Sequence, residues 1–437
     1  MTTVLTVTAT DIVERALRLT RSVDPNQSIP AYKVQNSLEA LNFLVKSMQA
    51  KGHLWIETEG ILFLDVGRTN YKLGPNGDEA GNADDFENTE MAVAGITTDT
   101  ILTLDSTSGM EGQDDLFPTD PSESTDGWVL VDGFFSVVAT SLKLSNTAAQ
   151  AGLITRTTPT LVVGRVYHLI ADFTKGLSPS ITYSIKDGVT TLGSVALTAS
   201  GTGRFEFTAT QTTHTLELLN GDTAGTNDTI TDKLLLLDDT TGDFIGIELD
   251  DGTRQWTRIV QVINSTQVFN TDGLTSAAAI DNTVFSFPKL TPRPLRIDQL
   301  RRQTIGLNDE IEANQWTRQE YFAQPDKNGQ GEVNNWYYSP QLSEGQLYLW
   351  QTANTVNKMV NFTYRRPIEV NETTADNPDF PAEWFDALTY TLAVRIAPEN
   401  KTNTERMLFL KNESREMMDD ALGFDLEPGA LQIQPDL

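Results

Sequence analysis

Both ends of this 437-residue chain carry amphipathic helical patterns, and the long middle does not. Near the C-terminus, residues 376–423 read DNPDFPAEWFDALTYTLAVRIAPENKTNTERMLFLKNESREMMDDALG. Pro381 suits a first helical turn, Phe385, Leu388, Leu392 and Ile396 then share one stripe, and Pro398 stops the helix. Thr402 and Glu405 have capping-box spacing for a second helix with Met407, Leu410, Met417 and Ala421 on its stripe, and Gly423 stands where a left-handed C-cap is wanted. Such stripes need partners. At the other end, Thr8 or Thr10 caps a helix carrying Ile12, Ala16 and Leu19, and Pro30 opens a second with Val34, Leu38, Leu41, Val45 and Met48 in line before Gly52. The spacing therefore predicts one helical domain built from both ends, over 1–60 and 291–437.

After Gly52 the period changes. Short β-rich runs appear at 54–56, 61–66 and 71–73, and the polar, acidic 76–90 reads as a loop. A strand at 101–104 leads into DSTSGMEGQ, and about 130 residues later 244–249, an Asp250-Asp251-Gly252 turn and 255–262 resume in the same style. Loop tips tolerate insertions, so 114–242 reads as a domain inserted into a small β-barrel or sandwich of about five strands, covering 61–113 and 243–290. The insert is rich in Thr, Ser and Gly, with strands expected at 128–131, 134–140, 166–173, 181–185, 204–210, 213–219 and 233–237, which is the pattern of a β-sandwich. Beyond Pro288, PKLTPRPLRIDQLRRQ reads as a short basic helical segment, 320–322 as a helical turn, 346–350 with 359–365 as a hairpin, and 427–437 as an extended tail. The fold class is thus α+β and multidomain.

The chain has no Cys, which removes disulfides, thiolate nucleophiles and Cys-ligated metals, and its three His residues are scattered. No apolar run reaches the roughly 18 residues of a membrane span, and MTTVLTVTATDIVER lacks the features of a signal peptide, so a soluble protein made in the cytoplasm is expected. A formal charge of −28 argues against gripping nucleic acid through its phosphates. P-loop, GxSxG, HExxH and dinucleotide patterns are absent, so no cofactor and no catalytic or metal-binding residue is assigned. The paired carboxylates Asp250-Asp251, Asp238-Asp239 and Asp419-Asp420 are each explained by a turn, a strand end or a solvated helix face, although a glycosidase needs only two. GNADDFENTE at 81–90 lacks EF-hand spacing and reads as an acidic loop. Trp128, Phe134, Tyr167 and Tyr183 offer an aromatic platform to a sugar ring or, by strand alternation, a core. Arg293, Arg296, Arg301 and Arg302 form a basic cluster suited to DNA, to an acidic partner or to plain salt bridging.

Two resemblances follow. Within the insert, GWVLVDG, TLVVGRVYHLIADFT, GTGRFEFTATQTTHTLELLN and DKLLLLDD follow one another as in the jelly-roll carbohydrate-binding-module superfamily. Over 294–398, RPLRIDQLRR, RQEYFAQPDKNGQGEVNNWYYSPQ, EGQLYLWQ, VNFTYRRPIE and DNPDFPAEWFDALTYTLAVRIAPE resemble the head-to-tail adaptor family of short-tailed bacteriophages, also called tail accessory factors or packaged-DNA stabilisation proteins. The split β-domain and the N-terminal helix pair are similar to long members of that family. The resemblance implies a virion neck protein: a homo-dodecameric ring docked on the portal protein, enclosing DNA without reading its sequence and receiving a tail tube, nozzle or fibre protein. Leu431, Ile433 and Leu437 of the tail would meet the portal, and Trp128, Tyr167 and Tyr183 would serve any glycan site. The alternative is a tail protein that binds glycan or hydrolyses peptidoglycan.

Overall fold

A computed structural model describes residues 7–21, 23, 27–51, 56–147, 150–222, 227–270, 272–307, 309–368, 379 and 382–424. Five helices are described: α1 (Ala9–Leu19), α2 (Ala31–Ala50), α3 (Arg318–Ala323), α4 (Phe385–Ile396) and α5 (Thr404–Phe424). Thr8 caps α1 in a reciprocal box, its hydroxyl accepting from Asp11 N–H while Asp11 accepts from Thr8 N–H at 2.9 Å. Four helices share one core. Ile12, Val13, Ala16 and Leu17 of α1 meet Leu38, Leu41, Val45 and Met48 of α2, Leu388, Leu392 and Ile396 of α4, and Leu410 and Ala421 of α5. α4 packs against each of the other three, which explains why FDALTYTLAVRI carries so little charge.

Gly423 lies inside the last turn of α5 without a positive φ, so it is not a left-handed cap. α5 is capped by Asn403, whose Oδ1 accepts from Arg406 N–H at 2.8 Å. The expected cap, Thr402, instead turns its hydroxyl to Thr20 O and ties α5 to the end of α1.

The segment expected to continue the helical domain from 291 is mostly sheet up to Arg366. Arg296–Thr304 is a strand, paired with Lys358–Arg366 across a bulge at Ile297/Gln299. The bulge places the buried Ile297 and Leu300 three residues apart, which is why the sequence imitates a helix there. This sheet runs Ile311–Glu312, Arg296–Thr304, Lys358–Arg366, Ile56–Phe63, Ala80–Asn82. A second sheet runs Asn70–Leu73, Gly345–Trp350, Asn335–Ser339, Asn314–Gln315. The two close over Leu62, Tyr71, Leu300, Trp336, Leu347, Phe362 and Tyr364. Gly345–Trp350 and Lys358–Arg366 thus belong to opposite sheets and are not a hairpin.

Beyond this sandwich lies a six-stranded sheet: Glu87–Glu90, Thr283–Phe287, Phe244–Glu248, Arg254–Asn264, Gln267–Asn270, Ile101–Thr103. A bridge between Met91 and Leu104 joins its first and last strands, so it closes as a barrel around Ile245, Ile247, Ile259, Val268 and Val284. The polar 76–90 stretch is therefore not all loop. Glu87–Glu90 is a barrel strand held by main-chain pairing to Thr283–Phe287, with no apolar side chain to betray it. Barrel and sandwich are joined through Phe63, Phe285 and Ile305. Arg254 is buried between them over Phe63 and Phe285, donating to Val356 O and Thr283 Oγ1. Burial pushes its guanidinium down to about 10.

The remaining strands form two five-stranded antiparallel sheets face to face. One runs Gly201–Thr208, Val166–Lys175, Asp228–Asp238, Ser141–Ser145, Phe134–Val138; the other Thr190–Leu197, Ile181–Asp187, Thr215–Asn220, Leu153–Thr157, Trp128–Asp132. Leu142, Ile154, Leu169, Phe173, Leu216 and Leu234 lie between them. This is the jelly-roll sandwich. Its two chain crossings run side by side: Asp115 bridges Leu237, Asp238 N–H donates to Asp114 O, and Gln113 Nε2 donates to Asp239 Oδ1.

Candidate functional surfaces

Strand alternation places Trp128, Tyr167 and Tyr183 inside the jelly roll. Trp128 Nε1–H donates to Pro121 O at 2.9 Å, Tyr167 Oη accepts from Val162 N–H, and Tyr183 Oη lies 2.8 Å from Thr231 Oγ1. Burial raises the Tyr183 phenol well above its ordinary value. These three rings fill the core and present no free face to a sugar, correcting the platform reading. Phe134 is different: it is 65% exposed on an edge strand, and Val129, Val131 and Val138 are also in solvent.

The two outer faces of the jelly roll differ. One is pressed on the barrel, where Ile170 and Leu237 pack with Val260 and Phe269, and the Arg204 guanidinium lies 4.5 Å from the Phe269 ring centre. Beside this contact His168 Nε2 lies 3.1 Å from Asp239 Oδ1. Burial works to raise the Asp239 carboxyl, but hydrogen bonds from His168 and Gln113 leave it below the usual value. The opposite face carries Thr182, Ser184, Thr155 and the Lys186–Glu217 ion pair at 2.6 Å.

The paired carboxylates are held by local structure. Asp251 accepts from Thr253 N–H, Asp250 from Ala279 N–H, and Asp238 pairs with Arg165, while Asp419 and Asp420 are exposed on α5. Among the described residues no group of His, Asp and Glu is arranged to hold a metal ion. In the basic cluster, Arg296 pairs with Asp298, Arg301 with Glu59 and Glu310, and Arg302 with Glu332; Arg293 donates to Gln341 O. Three of the four arginines are thus paired with carboxylates of the sandwich, and Arg293 bonds its main chain. Leu431, Ile433 and Leu437 lie outside the described residues.

Sequence reasoning passed over the outside of the helical module. Tyr32 and Phe43 of α2 are each 65% exposed, and Leu408 and Phe409 of α5 are 58% and 45% exposed. Along α1 lies a cleft of about 630 Å³ with Arg15, Arg18, Arg21 and Arg406 around Leu19 and Val23. The i, i+3 spacing of Arg15 and Arg18 is the signal that could have shown it, since it sets both on the face opposite the core.

No family model and no curated protein matches the chain. Among solved structures it is similar to the second N-terminal cellulose-binding domain of Cellulomonas fimi β-1,4-glucanase C, at 15% identity over 29% of this chain and 96% of that one, TM-score 0.23. It is also similar to the CBM22-1–GH10 modules of Clostridium thermocellum xylanase 10B complexed with xylohexaose, at 16% identity over 30% and 28% of the two chains, TM-score 0.23. The enzymatically active domain of tailspike protein 4 from bacteriophage CBA120 matches at 12% identity over 26% and 20%, TM-score 0.21. At such TM-scores the jelly-roll assignment rests on the strand order itself.

Proposed function

We propose that this chain is a structural subunit of the head-to-tail adaptor type, which assembles with copies of itself through the helical module and carries the jelly roll as a fixed appendage. The observation that carries this reading is the helical module's surface: its core is filled from both chain ends, yet Tyr32, Phe43, Leu408 and Phe409 stand in solvent on two different helices. Contiguous exposed apolar surface is a usual mark of an interaction site, and Tyr32 and Phe43 share one face of α2 while Leu408 and Phe409 are adjacent on α5. The resemblance over 294–398 supplies the kind of assembly, a ring under the portal protein that continues a DNA channel and receives tail components in the virion neck. The acidic balance suits a wall past which DNA slides. Electron microscopy of the purified protein, alone and mixed with the portal protein of its phage, tests this. Rings that dock on the portal are expected; a monomer that never associates with the portal removes the reading.

A second reading, glycan binding by the jelly roll, is favoured by its two-sheet frame and by Phe134, the one candidate ring left in solvent. Binding of the whole chain to a glycan array, lost on Phe134→Ala, is the expected result under that reading. Silence across host polysaccharides leaves the insert as a decoration.

A further inference from the structure

We infer that the arginine-lined cleft along α1 receives the acidic C-terminal half of α5 from a second copy of this chain. The inference rests on the adaptor reading and names one of its subunit contacts. In a chain of net charge −28, four arginines against two carboxylates make the cleft locally cationic. Arg18 reaches Glu14 at 3.0 Å and Arg15 reaches Asp386 at 3.2 Å, but their side chains stay 50% and 60% exposed, and a guanidinium with five donors has N–H groups to spare. Arg21 is exposed and has no ion-pair partner among the described residues.

The complementary surface is on α5. Glu416, Asp419 and Asp420 are exposed, none has an ion-pair partner among the described residues, and their i, i+3 and i, i+4 spacing groups them on one face. Three to four residues of helix span about 4.5 to 6 Å, and Arg15 and Arg18 are about 4.5 Å apart along the axis, so the two rows of charge match in pitch.

Among the described residues no ion pair joins the two surfaces within one chain. Arg406 Nε–H donates to Leu19 O at 3.0 Å, which fixes the N-terminal end of α5 at the cleft. Asp419 lies thirteen residues further along that helix, about 20 Å away. The assigned pairing runs from the α5 end of one copy to the α1 cleft of the next. Two different patches on each copy make a heterologous contact, which closes into a ring when its rotation permits.

The test is charge reversal in the full chain, read by mass photometry. Arg18→Glu with Arg21→Glu, and separately Asp419→Arg with Asp420→Arg, are expected to reduce the assembly to monomers while far-UV circular dichroism keeps the parent's helix content, the exposed Arg18–Glu14 pair being the one ion pair lost. Mixing the two variants, or combining all four changes in one chain, restores assembly. Should either pair unfold the chain, Arg21→Gln and Asp420→Asn serve instead, each weakening assembly severalfold. Reversal that leaves assembly intact, or a fourfold variant that fails to recover it, overturns the proposed contact while the adaptor reading stands. A wild-type chain that is monomeric at every concentration, alone and with the portal protein, overturns both.

Discussion

Excising the jelly roll separates a passenger domain from an integral one. The main-chain bond from Asp238 N–H to Asp114 O, 3.2 Å long, sets the two crossings side by side. Residues 115–237 can thus be replaced by a two-residue Asn-Gly turn with little displacement of the barrel. What the barrel loses is the cover over Val260 and Phe269, now 0% and 8% exposed. Fully burying one such side chain contributes about 1.5–3 kcal/mol, so two of them set an upper bound of about 3–6 kcal/mol. Because the barrel still covers part of each, and such areas overstate the true gain, the expected loss is about 2–4 kcal/mol. Hydrogen exchange in peptides covering 244–270 reads the barrel apart from the other modules. The loss corresponds to roughly 30- to 700-fold faster exchange at the slowest amides. Complete loss of protection would refute the inserted-domain architecture, and unchanged protection would show that the apolar contact between jelly roll and barrel is not made in solution.

Leu388→Ala, at the fully buried centre of α4, is expected to cost about 2–5 kcal/mol by denaturant titration of the helical module. Tyr183→Phe strands the buried Thr231 hydroxyl and is expected to cost about 1–2 kcal/mol in thermal unfolding, leaving any glycan affinity unchanged because the ring has no exposed face. Burial raises the Asp243 carboxyl above its ordinary value, so the folded chain holds that proton more tightly than the unfolded one. Its contribution is therefore fully present below the ordinary carboxylate value and is lost as pH rises through the raised one. Asp243→Asn removes this slope, and its stability relative to the parent rises with pH across that window in paired melts.

The helical stripes were legible because each obeys a single period: Leu38, Leu41, Val45 and Met48, and likewise Leu388, Leu392 and Ile396, are buried residues of their helices. Interruption of the β pattern was legible too, because strands near 101 and 244 share a style that the Thr-rich stretch between them lacks. Elsewhere one local event masked the rule. The bulge at Ile297/Gln299 turned a period of two into a spacing of three, and the barrel strand Glu87–Glu90 has no apolar side to alternate. Strands 141–145, 153–157 and 190–197 were missed within the insert, where Ser, Thr and Gly dilute the alternation. The aromatic candidates show a further limit. Alternation tells which residues share a face, but Trp128, Tyr167 and Tyr183 needed the second sheet in place before that face could be known as the inside.

The paired crossing between jelly roll and barrel has a mechanical side. A domain hung on one strand swivels, and a domain hung on two adjacent strands still hinges about the line between them. Here Ile170 and Leu237 press on Val260 and Phe269 beside that line, so the hinge is wedged. A pull on the jelly roll is delivered to Gln113 and Asp243 at the barrel rim, where Gln113 N–H bonds Val260 O and Asp243 N–H bonds Glu111 O. The insert therefore meets the barrel through two adjacent crossings and one apolar contact, the routes by which a load on it reaches the barrel.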